Sequence, residues 1–181
     1  MKATKTNIVF ALMCIMLLTG CGSKHKSDYI IINSEQTEEK KPEVIASEKY
    51  HFTDTISWRG KVYNYTVSRE SDKEAPVAID EEGQKFYDNK VMVTILRPDN
   101  TEFYSHTFRK SAFSDYIPAS FAKGSILEGI VFEKAEEGYL QFAASVAYPQ
   151  TDEYIPFAIR ISPNGSITIV KVNQLEEERP E

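Results

Sequence analysis

Between Tyr50 and Val172 the apolar side chains recur at every second position, the spacing of strands that bury one face. Tyr50, Phe52, Ile56 and Trp58 share one parity, and Arg59-Gly60 reads as a tight turn into Tyr63, Tyr65 and Val67, again of one parity. Val91 to Leu96 is almost continuously apolar, as in a central strand, and Pro98-Asp99-Asn100 turns the chain into Thr101 to Phe108. Ile126, Ile130 and Phe132 lead through Glu136-Glu137-Gly138 into Leu140, Phe142, Ala144, Val146 and Tyr148, the cleanest alternation in the chain. The opposite face of that strand, Gln141, Ala143, Ser145 and Ala147, is mostly small and leaves room for a close neighbour. Ile155, Phe157, Ile159 and Ile161 turn at Pro163-Asn164-Gly165 into Ile167, Ile169, Val170 and Val172.

The pattern predicts an all-β domain of about eight antiparallel strands in consecutive hairpins, folded as a two-sheet sandwich or a small closed barrel. Bulky inner-face residues (Trp58, Tyr63, Tyr65, Phe142, Phe157) favour a filled interior. One short helix is expected from Ser111 to Tyr116, reaching towards Ala122, with Ser111 as its N-cap. The connection from Ser68 to Asn89 is the longest irregular stretch, and loops of that length are often functional or disordered.

The chain begins with a different pattern. Lys2 and Lys5 precede an apolar run from Ile8 to Leu18, closed by Thr19, Gly20 and Cys21. A membrane-spanning helix needs roughly 20 apolar residues, so this shorter run reads as a secretory signal, residues 1–20. Leu18-Thr19-Gly20-Cys21 resembles the bacterial lipobox. The resemblance implies a diacylglycerol on the Cys21 thiol, removal of the preceding peptide and acylation of the new amine, as by palmitate. Two or more acyl chains hold stably where one holds marginally. Cys14 leaves with the signal, so neither a disulfide nor a thiolate site is expected in the mature chain.

The order of segments is then a signal at 1–20, a solvated tether at 21–48, one β domain at 49–175 and an acidic tail at 176–181. Tyr29-Ile30-Ile31-Ile32 is a β-prone island within the tether. The formal net charge is −6, and loss of Lys2 and Lys5 makes it more negative, which argues against a nucleic-acid partner.

Chemistry-bearing residues are sparse. His25, His51 and His106 stand at no metal-ligand spacing, so no metal and no cofactor is expected. His106 with Ser111, Ser114 and Asp115 lacks the Gly-x-Ser-x-Gly elbow of a serine hydrolase. The pairs Asp152-Glu153 and Glu136-Glu137 and the run Asp80-Glu81-Glu82 are typical of surface turns, although glycosidases also use paired carboxylates. Asp80 to Gly83 with Asp88-Asn89 offers calcium-type oxygen ligands but departs from the EF-hand spacing. No catalytic residue is assigned. The stretch Tyr148-Pro149-Gln150-Thr151-Asp152-Glu153-Tyr154 offers polar groups, two tyrosines and a preset backbone, which suits a binding loop. The alternative is a rigid turn bonding its own backbone.

The run Glu81 to Asn89, the segment Ile126 to Phe132, and Phe142 to Val146 followed by Pro149 to Pro156 resemble a family of small Bacteroidetes lipoproteins of unknown function. The likeness runs over most of residues 50–173. It implies an envelope lipoprotein with a compact β domain and carries over no functional residue. Lipoproteins of this type often mark surface export with an acidic cluster after the cysteine. Here Gly22 to Asp28 is basic first, so the expected address is the outer membrane, facing the periplasm. The expected role is non-catalytic binding or scaffolding. Its partners would be the membrane, through the lipid on Cys21, and an envelope protein or carbohydrate. A lipocalin-like small-ligand carrier is the alternative, and a hydrolase a more distant one.

Overall fold

The computed structural model describes residues 43–172. The signal, Cys21, the Tyr29 to Ile32 island, most of the tether and the acidic tail therefore lie outside the described residues. Two four-stranded antiparallel sheets dominate. The first joins β1 (Tyr50–Trp58), β2 (Lys61–Asp72), β5 (Asp88–Leu96) and β6 (Glu102–Arg109) in the order β1-β2-β5-β6. The second joins β7 (Ile126–Glu136), β8 (Tyr139–Ala147), β9 (Tyr154–Ile161) and β10 (Ile167–Lys171) in the order β10-β9-β8-β7. The sheets stay open, so the architecture is sandwich-like and the barrel alternative falls away.

The hairpins follow the turn chemistry. Arg59 and Gly60 both take positive φ (53° and 71°), as a two-residue turn of matching twist requires, and Trp58 pairs directly with Lys61. At the tip between β5 and β6, Asn100 (φ 63°) is held by its N–H to Arg97 O, while Asp99 Oδ1 accepts from Thr101 N at 3.0 Å.

The core lies between the sheets. Tyr65, Val67, Val91, Val93 and Ile95 from the first sheet meet Leu127, Ile130, Leu140, Phe142 and Ile159 from the second. The Tyr65 ring stands edge-on to Phe142 at 6.0 Å and tilted to Phe132 at 5.4 Å. Four of the five expected inner-face aromatics, Trp58, Tyr65, Phe142 and Phe157, are buried, and Tyr63 packs against their edge.

The long connection differs from expectation. The β2–β5 ladder continues from Asn64↔Leu96 to Asp72↔Asp88, which moves Ser68 to Asp72 and Asp88 to Asn89 out of the loop and into strands. The polar residues at its far end, Ser68 to Asp72 on β2 and Asp88 to Lys90 on β5, hid it from a hydrophobic count. The remainder carries a short pair, β3 (Ala78–Ile79) with β4 (Lys85–Phe86). This raises the tally to ten strands among the described residues and interrupts the run of consecutive hairpins. Residues 43–48 lie beside this pair, where Ile45 bridges Phe86 in parallel and exchanges backbone bonds of 2.9 Å with Lys85 and Tyr87.

The crossover between sheets also departs from expectation. Lys110–Tyr116 is a 3-10 segment whose N-cap is Arg109 and not Ser111, and no side chain caps it. Ile117 is extended, as favoured before Pro118, and a separate helix α1 (Ala119–Gly124) follows. Among the described residues no helix is long and apolar enough to cross a membrane.

Two substitutions test this core from opposite sides. Phe142 is wholly buried, so Phe142→Ala should lower the unfolding free energy by about 3–5 kcal/mol. The Tyr104 hydroxyl is buried with no hydrogen-bond partner, and burial pushes its pKa up to about 12. Tyr104→Phe removes that unpaired group and should raise stability by about 1 kcal/mol. Urea unfolding would measure both, and a clear loss in Tyr104→Phe would mean that the hydroxyl has a partner.

Candidate functional site

The chemistry concentrates where the first sheet ends against the crossover. Asp72 and Asp88 are register partners at the close of the β2–β5 ladder, and both are buried. Asp72 is paired by Arg109 Nε at 2.7 Å and Asp88 by Lys110 Nζ at 3.1 Å. Neighbouring residues at the end of β6 thus neutralise neighbouring strand ends. Burial alone would push the Asp72 carboxyl up. The Arg109 hydrogen bond, the Glu74 N–H and the charges of Arg109 and Lys90 outweigh it and hold the pKa below the usual carboxylate value.

Asp88 has a second task. Its Oδ1 accepts from Leu127 N at 2.8 Å and from Asn89 N at 2.8 Å. The Asn89 Nδ2 group donates to Leu127 O at 2.9 Å and to Ser47 Oγ at 3.1 Å. Lys110 Nζ also donates to Ala122 O at 2.9 Å and to Ser125 O. The cluster therefore ties β5 and β6 to β7, α1 and residue 47.

Two grooves flank α1. One, of about 510 Å³, is walled by Ala75, Pro76, Val77, Ile117 and Ala122, with Asp72, Asp88, Asn89 and Arg109 at its polar side. The other, of about 600 Å³, lies between Asp80, Glu81 and Glu82 of the β3–β4 turn and Tyr148, Thr151 and Glu153 of the β8–β9 loop. Lys123 lines both. Gly124 allows the close approach: a Cβ there would lie 2.7 Å from Tyr148 Cε1 and 3.2 Å from Ile79 O.

The residues of the expected binding loop are divided by this geometry. The Tyr148 ring packs against Phe121 in a tilted arrangement with centroids 4.4 Å apart, and Thr151 and Glu153 join it at the second groove. Gln150 supplies the positive φ (60°) of the turn and Asp152 is exposed; neither lines that groove. Tyr154 is exposed and faces a different depression, with Arg69 and Glu128. The loop bonds largely to itself: Tyr148 N to Glu153 O at 3.0 Å, Thr151 Oγ1 to Tyr148 O at 3.1 Å, and Glu153 N to Thr151 Oγ1 at 3.2 Å. The self-bonded turn also forms one wall of a groove.

The remaining candidates stay dispersed. His106 is exposed on β6 with Phe108 edge-on at 4.6 Å, and Ser114 Oγ donates to Ser111 O, so no bond links that histidine to a serine among the described residues. Asp80 Oδ1 accepts from Glu82 N and Gln84 N, closing its own turn, while Asp88 is committed elsewhere. Among the described residues no group of three or more His, Cys, Asp or Glu is placed to hold a metal ion.

Asp72, Arg109, Lys110 and Lys123 carried no signal in the sequence, and Asp88-Asn89 read there as loop oxygens, although one signal of their burial was available. Asn89 shares parity with Val91, Val93 and Ile95 and so continues their buried face.

The chain matches the family model described as a domain of unknown function, DUF4738, over residues 30–169, and it belongs to that family. No curated protein matches it.

The depressed pKa of Asp72 sets a pH dependence. Its contribution to stability is fully present above the unfolded value of about 3.9 and is lost as pH falls through the lower folded value. Asp72→Asn should lower stability at neutral pH and flatten the fall in thermal midpoint below about pH 4. A variant with the parental acid slope would show that Asp72 does not carry it.

Proposed function

We propose that this chain is a lipid-anchored envelope protein, held through acylated Cys21 at the periplasmic side of the outer membrane, whose sandwich is a non-catalytic binding domain. The partner surface is the groove between Asp80 to Glu82 and Tyr148 to Glu153, and the partner is a protein segment carrying basic residues. One observation carries the reading: two loops distant in sequence converge beside α1 on one groove with preset walls. Self-bonded turns lose little freedom on binding. Asp80, Glu81, Glu82 and Glu153 against the single Lys123 give the groove an acidic balance, which selects a basic partner.

The anchor rests on the basic start, the short apolar run and Leu18-Thr19-Gly20-Cys21. The packed interior supports surface recognition over a lipocalin-like carrier. Such a carrier needs a cavity of roughly 300 Å³ or more between the sheets, and there Phe142, Leu140, Ile159 and Ile130 are fully buried.

Two experiments test the halves separately. Cys21→Ser should abolish incorporation of radiolabelled palmitate and release the protein from the membrane fraction; retained label would disprove acylation at Cys21. A photo-crosslinking amino acid at position 151 should capture an envelope protein in cells. Glu82→Lys with Glu153→Lys should remove that adduct without changing the unfolding midpoint, because both side chains are exposed. An adduct unaffected by the double reversal would reject this groove.

A further inference from the structure

The groove proposed above as a partner surface is also where the chain's own tether arrives. Residues 43–48 run beside the β3–β4 pair as a strap. Ile45 N donates to Lys85 O and Ile45 O accepts from Tyr87 N, both at 2.9 Å, and the bridge from Ile45 to Phe86 is parallel. Going back along the chain from Ile45 therefore leads towards Gln84 and the β3–β4 turn. Glu43 keeps that direction: its carbonyl accepts from Gln84 Nε2 at 2.9 Å, and Gln84 N donates to Asp80 Oδ1 at 2.8 Å. The strap is held at its other end by Asn89 Nδ2 on Ser47 Oγ and by Arg69 Nη2 on Glu48 O.

Lys40-Lys41-Pro42 immediately precede Glu43. Successive Cα atoms stand about 3.8 Å apart, so Lys41 is confined to within about 7.6 Å of Glu43 and Lys40 to within about 11 Å, before the reach of either side chain is added. The groove offers what two ammonium groups need. Asp80, Glu81, Glu82 and Glu153 line it against Lys123, and none of these five forms a salt bridge among the described residues. Glu81, Glu82 and Glu153 are exposed and open to pairing. Lys85 stands nearby on β4 but does not line the groove. The family match begins at residue 30, so these lysines fall within the span it covers. We infer that Lys40-Lys41 occupy the acidic side of this groove, in the place of the basic partner segment. The inference rests on the partner reading above and adds its regulation, because a partner must displace the chain's own lysines. Exposed ion pairs are individually weak, and covalent attachment supplies the local concentration that lets such a contact form and still yield to a partner.

The test uses the full chain in detergent. A water-soluble carbodiimide joins ammonium and carboxylate groups already in contact as an amide, itself taking up the water as a urea, and peptide mass spectrometry locates the new bonds. Lys40 and Lys41 should join Glu81 or Glu82. Amides confined to the sequence neighbours Glu38, Glu39 and Glu43, or none at all, would overturn the inference. Fluorescein-labelled hexalysine then reads the competition. Lys40→Gln with Lys41→Gln should tighten its binding about fivefold, whereas Lys24→Gln with Lys26→Gln, the same charge change further up the tether, should leave it unaltered. An unchanged affinity in the first pair, or equal tightening by both, would also overturn it. Amides to Glu81 or Glu82 with no hexalysine binding by any form would support the contact and reject the partner reading.

Discussion

The structure depends on how the free edge of β7 is satisfied. β7 closes one side of the second sheet, so half of its backbone groups have no strand neighbour, a condition that proteins must manage to avoid pairing with other chains. Here side chains of the first sheet do the pairing. Asp88 and Asn89 take the N–H and the carbonyl of Leu127, Arg69 Nη1 donates to Glu128 O at 2.5 Å, and Trp58 Nε1 donates to Glu136 O at 2.6 Å. These contacts fall at the two ends of β7, at Leu127 and Glu128 and at Glu136, and clamp the two sheets there. Apolar packing supplies the drive to bring the sheets together, but it is not directional. The polar contacts choose the alignment.

That alignment also explains why the grooves lie where they do. The chain leaves the first sheet at Arg109, passes through the 3-10 segment and α1, and enters β7 at Ile126. Lys110 bonds the carbonyls of Ala122 and Ser125 and so pins this crossover to Asp88. With α1 fixed, the β3–β4 turn approaches from one side through Gly124, and the β8–β9 loop approaches through Tyr148 on Phe121. The spaces left on either side of the helix are the grooves.

How much of this was legible follows from which forces leave a one-dimensional trace. The β8 hairpin was plain because Leu140, Phe142, Ala144 and Val146 obey a period set by burial of one face. Arg59-Gly60 and Pro163-Asn164-Gly165 were plain because turns impose local backbone demands. The ends of the β2–β5 ladder were not, since Asp72, Asp88 and Asn89 have the composition of a loop and are buried only because Arg109, Lys110 and Leu127 arrive from distant parts of the chain. For the same reason the loops at residues 80 and 151 could each be suspected of binding while their meeting could not be foreseen. Gln150 and Asp152 are the converse case. Their polarity serves a turn and an exposed tip, and the groove takes the loop's other residues.

The buried pairs themselves call for an account other than stability. Two charges removed from water seldom gain over well-packed apolar residues, whereas losing one partner leaves the other charge stranded. Asp88 would be a poor way to stabilise a core and is a good way to specify one. Its Oδ1 fits the Leu127 N–H while Asn89 fits the Leu127 carbonyl, and both require Leu127 at one position along the edge. A slip of one residue in β7 would turn Leu127, Ile130 and the rest of the buried set towards solvent and would also leave Asp88 and Asn89 facing the wrong groups. Hydrophobic pattern and buried polarity therefore penalise the same errors. Satisfaction is incomplete at four buried side-chain atoms among the described residues, Arg69 Nε, Asn89 Oδ1, the Tyr104 hydroxyl and the Ser125 hydroxyl. In Asn89 the two bonds on the donor side, to Leu127 O and Ser47 Oγ, fix the strand alignment, and the unpaired acceptor is the cost of that specification.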